Sequence, residues 1–189
     1  MKATLASGNA NKLRELRHAL PGWELELLGP TEFPPETGAS YYENALGKAR
    51  FGRTLADGWV LGEDSGIEVA ALEGRPGIES ARWADDPVAA LLAVLDGVEH
   101  RRARYVCELV ALGPGGVERR GTGTLEGTVA HEPRGSEGFG YDPIFVPDGE
   151  TATVAELGNA WKREHSHRAR AARALYASPA GGSSTGSRL

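Results

Sequence analysis

Residues 102–130 constrain the fold most. "RARYVCELVAL" alternates apolar and polar positions as a strand does, "GPGG" turns the chain, and a second strand runs from about Val117 to Ala130. A long antiparallel hairpin therefore sits in a chain whose other strand-like and helix-like stretches interleave. "MKATLAS" reads as a first strand, and Leu13, Leu16 and Leu20 then recur at helical spacing with Arg14, Glu15, Arg17 and His18 on the opposite face. A loop at 29–39 leads to "SYYE", a capping-box pattern in which Ser40 and Glu43 satisfy each other's amides ahead of a helix that buries Ala45, Leu46 and Ala49. "WVLG" reads as a short strand stopping at "EDSG", with "IEVAAL" starting another. Asp86, Pro87 and Gly97 cap, start and stop a helix whose stripe is Val88, Leu91, Leu92 and Leu95. A Gly-rich loop at 135–142 precedes "PIFVP", and a last helix runs from near Ser166 to about Ala177. The fold class is α/β, a central mixed sheet flanked by helices.

With 189 residues, 40% of them hydrophobic, the chain suits one domain over residues 1–177, followed by a low-complexity tail at 178–189. No run of about 18 apolar residues suggests a membrane span, and the N-terminus lacks a secretory layout. Cys107 is the only cysteine, which excludes an internal disulfide and a cysteine-built zinc site. A cytoplasmic location is the simplest expectation. A net charge of −5 argues against a nucleic-acid partner, while a small anionic ligand needs only a few local cations.

Several stretches could supply those cations. "SGNANK" joins the first strand to the first helix, where outward-pointing amides attract phosphate. Gly8 permits close approach, Ser7, Asn9 and Asn11 supply donors and Lys12 supplies charge; a plain capped turn explains the same residues. "GEDSGIE" places Glu63 and Asp64 at a strand end, where ligands gather and hard oxygens suit Mg²⁺, although Asp-Ser-Gly is also an ordinary turn. Asn44 and Lys48 share a helical face, and Glu36 in the preceding loop has no structural task. "EGFGYDPIF" sets Phe139 and Tyr141 among glycines before Asp142, suited either to stacking on a base or to packing over the sheet. Lys162, His165, His167 and Arg168 gather at the last helix start, as a solvated basic face or as donors to an anion. Their spacing does not suit zinc.

Taken in order, "SGNANK", "TGASYYENALGKAR", "EDSGIEVAALEGRPGIESARW", "GFGYDPIF" and "SHRARA" resemble the inosine triphosphate pyrophosphatase family from residue 3 to about 176. The resemblance implies an elongated two-lobed fold with a cleft between the lobes, Mg²⁺ dependence and a homodimer. It also implies hydrolysis of a purine nucleoside triphosphate (ITP, dITP or XTP) to the monophosphate and pyrophosphate. By that resemblance Ser7, Gly8, Asn9, Ala10, Asn11 and Lys12 cradle phosphates, with Lys48 and Arg82 adding charge. Asp64 matches a metal-binding acid proposed as general base, Ser65 a substrate contact and Glu36 a second metal ligand. Phe139, Gly140, Tyr141 and Asp142, with Lys162, His167 and Arg168, match base-recognition positions. Where many bacterial members read "DDSG" this chain has Glu63, which leaves that residue's own role open.

Overall fold

The computed structural model describes residues 1–29 and 32–178, so beyond Ser178 the expected tail lies outside the described residues. Among the described residues eleven strands and α-helices follow one another: β1 (Lys2–Leu5), α1 (Ala10–Ala19), β2 (Glu24–Leu27), α2 (Tyr41–Arg53), β3 (Trp59–Val69), α3 (Pro87–Val94), β4 (Arg102–Leu112), β5 (Glu118–Val129), β6 (Phe145–Pro147), α4 (Val154–His165) and α5 (His167–Ala177). The six strands form one sheet in the order β2-β1-β3-β4-β5-β6. β1 pairs in parallel with β2 and β3, whereas β3 through β6 are antiparallel. The hairpin holds its register from Arg102 opposite Thr128 to Leu112 opposite Glu118. It closes through Gly113 N donating to Val117 O at 2.8 Å, with Gly115 and Gly116 at positive φ that favours glycine.

Alternation along β3 assigns its faces. Leu61, Glu63, Ser65, Ile67 and Val69 point one way; Gly62, Asp64 and Glu68 point the other. On the first face Leu61, Leu109 and Cys107 pack with Leu13 and Leu16 of α1 and Ala171 and Leu175 of α5. Further along the same face Ile67, Val69, Tyr105, Leu125 and Phe145 meet Leu91 and Leu95, the inward side of α3. Glu63 and Ser65 interrupt the apolar row between these two clusters. On the second face α2 lays Ala45, Leu46 and Ala49 against Val110. It comes so close that a Cβ on Gly62 would stand 1.8 Å from Ala45 O.

Three sequence expectations need correcting. "EDSG" is no turn between two strands: β3 runs unbroken through it, Glu63 to Gly66 facing Leu109 to Val106 of β4. Only half of the α2 capping box forms as read. Ser40 Oγ accepts from Glu43 N at 3.2 Å, but Glu43 Oε2 takes the amide of Ala39 rather than of Ser40. Lys162 and His165 do not begin the last helix; they end α4, and Ser166 caps both the end of α4 and the start of α5.

Candidate active site

β1 stops where the site begins. Its parallel pairing with β3 ends at Leu5 opposite Leu61, followed by Ala6 N donating to Leu61 O at 2.8 Å. From Gly62 onward β3 therefore presents an edge that β1 does not cover, beyond the carboxyl end of β1, the place where ligands enter open α/β sheets. α1 starts above that edge. Asn9 caps the helix with Oδ1 accepting from Asn11 N at 2.9 Å and Lys12 N at 3.3 Å, and Ser7 Oγ accepts from Asn9 N at 3.1 Å. The space over Gly8 is empty to 4 Å.

Below α1 and α5 lies a cavity of about 280 Å³, lined among others by Asn9, Lys12, Ser65, Phe139, His167 and Arg168. Its walls are held by buried charge. Lys162 Nζ contacts Asp142 Oδ2 at 2.5 Å, and that same oxygen accepts from Phe139 N at 2.8 Å, which folds the 138–142 loop around the carboxylate. The cations of Lys162 and Arg168 lie 4.7 and 5.1 Å from the Phe139 ring centre. His167 stacks on Tyr105 with ring centres 4.6 Å apart, and its Nδ1 has no hydrogen-bond partner among the described residues. Burial first, then the charge of Arg168, holds this imidazole well below its usual pKa, so it is neutral near pH 7.

Across β3 a second cluster forms. Asp64 Oδ1 pairs with Lys48 Nζ at 2.8 Å and its Oδ2 accepts from Asn44 Nδ2 at 3.2 Å, one helical turn of α2 supplying both donors. Glu36 pairs with the same Lys48 Nζ at 2.5 Å and with Arg82. The neighbouring acids behave oppositely. Burial pushes Glu63 up, but Lys12, Arg168 and Lys48 outweigh it and its pKa is lowered. Burial pushes Asp64 up, and Lys48, shared with Glu36, does not cancel the effect, so its pKa is raised.

The site residues read from sequence thus fall into two groups back to back across β3. Lys12, Ser65, Phe139 to Asp142, His167 and Arg168 surround the cavity, with Lys162 behind its wall on Asp142; Glu36, Lys48, Asp64 and Arg82 form the acid–base cluster. Ser7 to Asn11 lead from the free edge into α1. Sequence reasoning passed over Glu15, Tyr105 and the pairing of Glu63 with Lys12 and Arg168. Glu15 was placed on an outward face, yet it lies one turn beyond Lys12 and contacts both Lys162 and Arg168. The signal available was that spacing.

A family model described as the Ham1 family matches residues 3–178. The chain belongs to the Ham1 family. Among curated relatives, a dITP/XTP pyrophosphatase from Symbiobacterium thermophilum is 47% identical, the alignment covering 95% of each chain. One of the same name from Deinococcus deserti is 44% identical over 93% of this chain and 88% of its own. The fold agrees with solved Ham1 structures. The Staphylococcus aureus Ham1 protein superposes with a TM-score of 0.82 at 34% identity, covering 94% of this chain and 97% of that one. A nucleoside-triphosphatase / dITP/XTP pyrophosphatase from Mycobacterium abscessus gives 0.71 at 42% identity, covering 93% and 97%.

Proposed function

We propose that this Ham1 protein hydrolyses non-standard purine nucleoside triphosphates (ITP, dITP and XTP) to the monophosphate and pyrophosphate, keeping them out of DNA and RNA. The observation that carries the reading is the junction at β3. Adjacent residues of one uncovered strand edge serve an aromatic, cation-lined cavity on one side and two converging carboxylates on the other. A base fits the first, and a triphosphate requires the second.

Glu36 and Asp64 suit Mg²⁺. Both are hard oxygen donors already aimed at one cation, Lys48 Nζ. The ion binds commonly through one or two carboxylates, completing its shell with water and phosphate oxygens. When bound, Mg²⁺ supplies charge neutralisation at the phosphates. The chain's own part is to aim and discharge. Lys12, Lys48 and Arg82 draw negative charge from the phosphates, Ser7 to Asn11 bring the α1 N-terminus to them, and Asp64 orients or deprotonates the water that attacks the α-phosphorus. Pyrophosphate leaves.

Base choice follows from hydrogen-bond matching. Hypoxanthine offers an acceptor at C6 and a donor at N1; adenine reverses both and would leave buried polar groups unpaired, a mismatch able to discriminate by roughly 10⁴–10⁵. Neutral His167, Arg168 and Asp142 are the candidate readers. Guanine matches at both positions, so its 2-amino group must be what the pocket rejects, while xanthine's 2-oxygen is accepted. Pyrophosphate release from ITP, XTP, GTP and ATP, each with and without Mg²⁺, tests the whole reading. Turnover of ITP and XTP only with Mg²⁺ is the expected result; equal turnover of all four, or none, overturns it. The same reading carries the family's homodimer and a cytoplasmic setting. Sedimentation giving only a 20.0 kDa species would overturn the dimer.

A further inference from the structure

One buried carboxylate holds two cations of the cavity wall and has been given no task above. Glu63 has no exposed side-chain surface, yet it interrupts the apolar row between Leu61 and Ile67. An apolar residue would fill that place with less desolvation, so packing alone does not account for it. Its Oε2 lies 2.6 Å from Lys12 Nζ and its Oε1 accepts from Arg168 Nε at 3.0 Å. These cations come from the first turns of α1 and α5, and Glu63 is the only ion-pair partner of Lys12 among the described residues. Every nitrogen of Arg168 is engaged: Nε on Glu63, one terminal nitrogen on Ser65 Oγ at 2.7 Å, the other on Glu15 at 3.1 Å. The plate so fixed stands beside the Phe139 ring.

We propose that Glu63 is a positioning residue that sets the span between Lys12, at the phosphate end, and the Arg168–Phe139 wall, at the base end. This rests on the functional reading above and extends it. A ligand carrying both a base and phosphates meets the two ends at a fixed separation only while one carboxylate holds both cations. A glutamine has the same size but a single acceptor oxygen, and its amide donors face a cation, so it holds one partner at most. Lys12 then loses its ion-pair partner, or Arg168 turns on its remaining contacts with Ser65 and Glu15, and the advantage of the matching base over adenine shrinks.

The test compares wild type, Glu63→Gln and Glu63→Asp by steady-state kinetics on ITP and ATP, with the Arg168 Nε–H resonance recorded by NMR in the ligand-free proteins. Glu63→Gln is expected to raise KM for ITP and lower the ITP-to-ATP ratio of kcat/KM, each by about tenfold, and to shift the Nε–H signal. Glu63→Asp restores the charge and is expected to recover both quantities to within about threefold. An unshifted resonance with wild-type KM and ratio overturns the proposal. So does an equal fall of both variants in step with their folded fraction, the ratio unchanged, because that is a structural role alone. Failure of wild type to release pyrophosphate from ITP would instead overturn the functional reading, while the resonance still decides whether Glu63 holds Arg168.

Discussion

Glu63 and Asp64 show how far one step along a strand separates two like side chains. The first is enclosed by Lys12 and Arg168 and stays ionised; the second shares a single lysine with Glu36 and resists ionisation. Asp64 is therefore the more basic of the two, the one suited to take a proton from a water. Asp64→Asn keeps size and the contact with Lys48, so circular dichroism should show an intact fold while kcat for ITP falls on the order of 10²–10⁴. Near-normal turnover would remove Asp64 from the mechanism. His167 makes a second residue-scale prediction, about stability. Arg168, Lys162 and Lys12 oppose protonation of the ring, Glu63 favours it, and burial opposes it most. Its pKa is depressed in the folded state, so below the ordinary value of 6.5 the unfolded chain takes a proton that the folded chain refuses. Stability is lost as pH falls, at about 1.4 kcal/mol per unit from this group. Urea unfolding at pH 7 and pH 5 should show wild type losing more stability than His167→Asn, by up to about 2 kcal/mol over the interval, the carboxyl contributions cancelling between the two. Identical losses would mean that the imidazole titrates freely.

Between elements, glycines decide how closely helices approach the sheet. A Cβ on Gly123 of β5 would lie 2.1 Å from His167 O and 2.3 Å from Ala171 N. Gly123→Ala must lift the start of α5 and with it His167 and Arg168. Overpacking of this kind costs about 1–3 kcal/mol, a fall in Tm of roughly 2–12 °C for a chain of this length, with loss of activity beyond the loss of stability. Gly47, exposed in the middle of α2 with nothing within 4 Å of its missing Cβ, is the control: Gly47→Ala should stabilise by about 0.4–1 kcal/mol. What the sequence left legible follows the same division. The hairpin, α3 with its Asp86 cap, and Lys48 with Asn44 on one face of α2 were readable because each signal is local. "EDSG" misled because turn propensity lost to a ten-residue pairing with β4, and Gly66 is there for approach rather than turning: its Cβ would stand 2.1 Å from Gly77 O. β2 shows only four residues of alternation, and α4 is interrupted at Gly158 with φ 82°, so neither carries a run long enough to read. The burial of Lys162 and Arg168 was equally hidden, because the carboxylates that make it tolerable, Asp142, Glu15 and Glu63, come from three other parts of the chain.

At the scale of the molecule the site is a meeting of distant segments, and a ligand that engages them all binds only the folded chain. α1 and α5 touch the cavity from opposite ends of the sequence, β3 runs beneath, and the 138–142 loop closes the side. The unfolded chain retains none of this, so ligand binding must appear as stability. A non-hydrolysable inosine triphosphate analogue at one hundred times its Kd, with Mg²⁺, adds about 2.7 kcal/mol, which for a chain of this length raises Tm by roughly 5–11 °C. The adenine counterpart at the same concentration leaves buried polar groups unpaired and should raise Tm far less. Omitting Mg²⁺ brings the triphosphate against Glu36 and Asp64 without compensation, and the inosine shift should shrink as well. A differential scan across these four conditions reads base and phosphate engagement separately. An equal rise with both bases would locate all the affinity at the phosphate end and empty the Phe139 wall of its selective role; a rise indifferent to Mg²⁺ would release Glu36 and Asp64 from holding it.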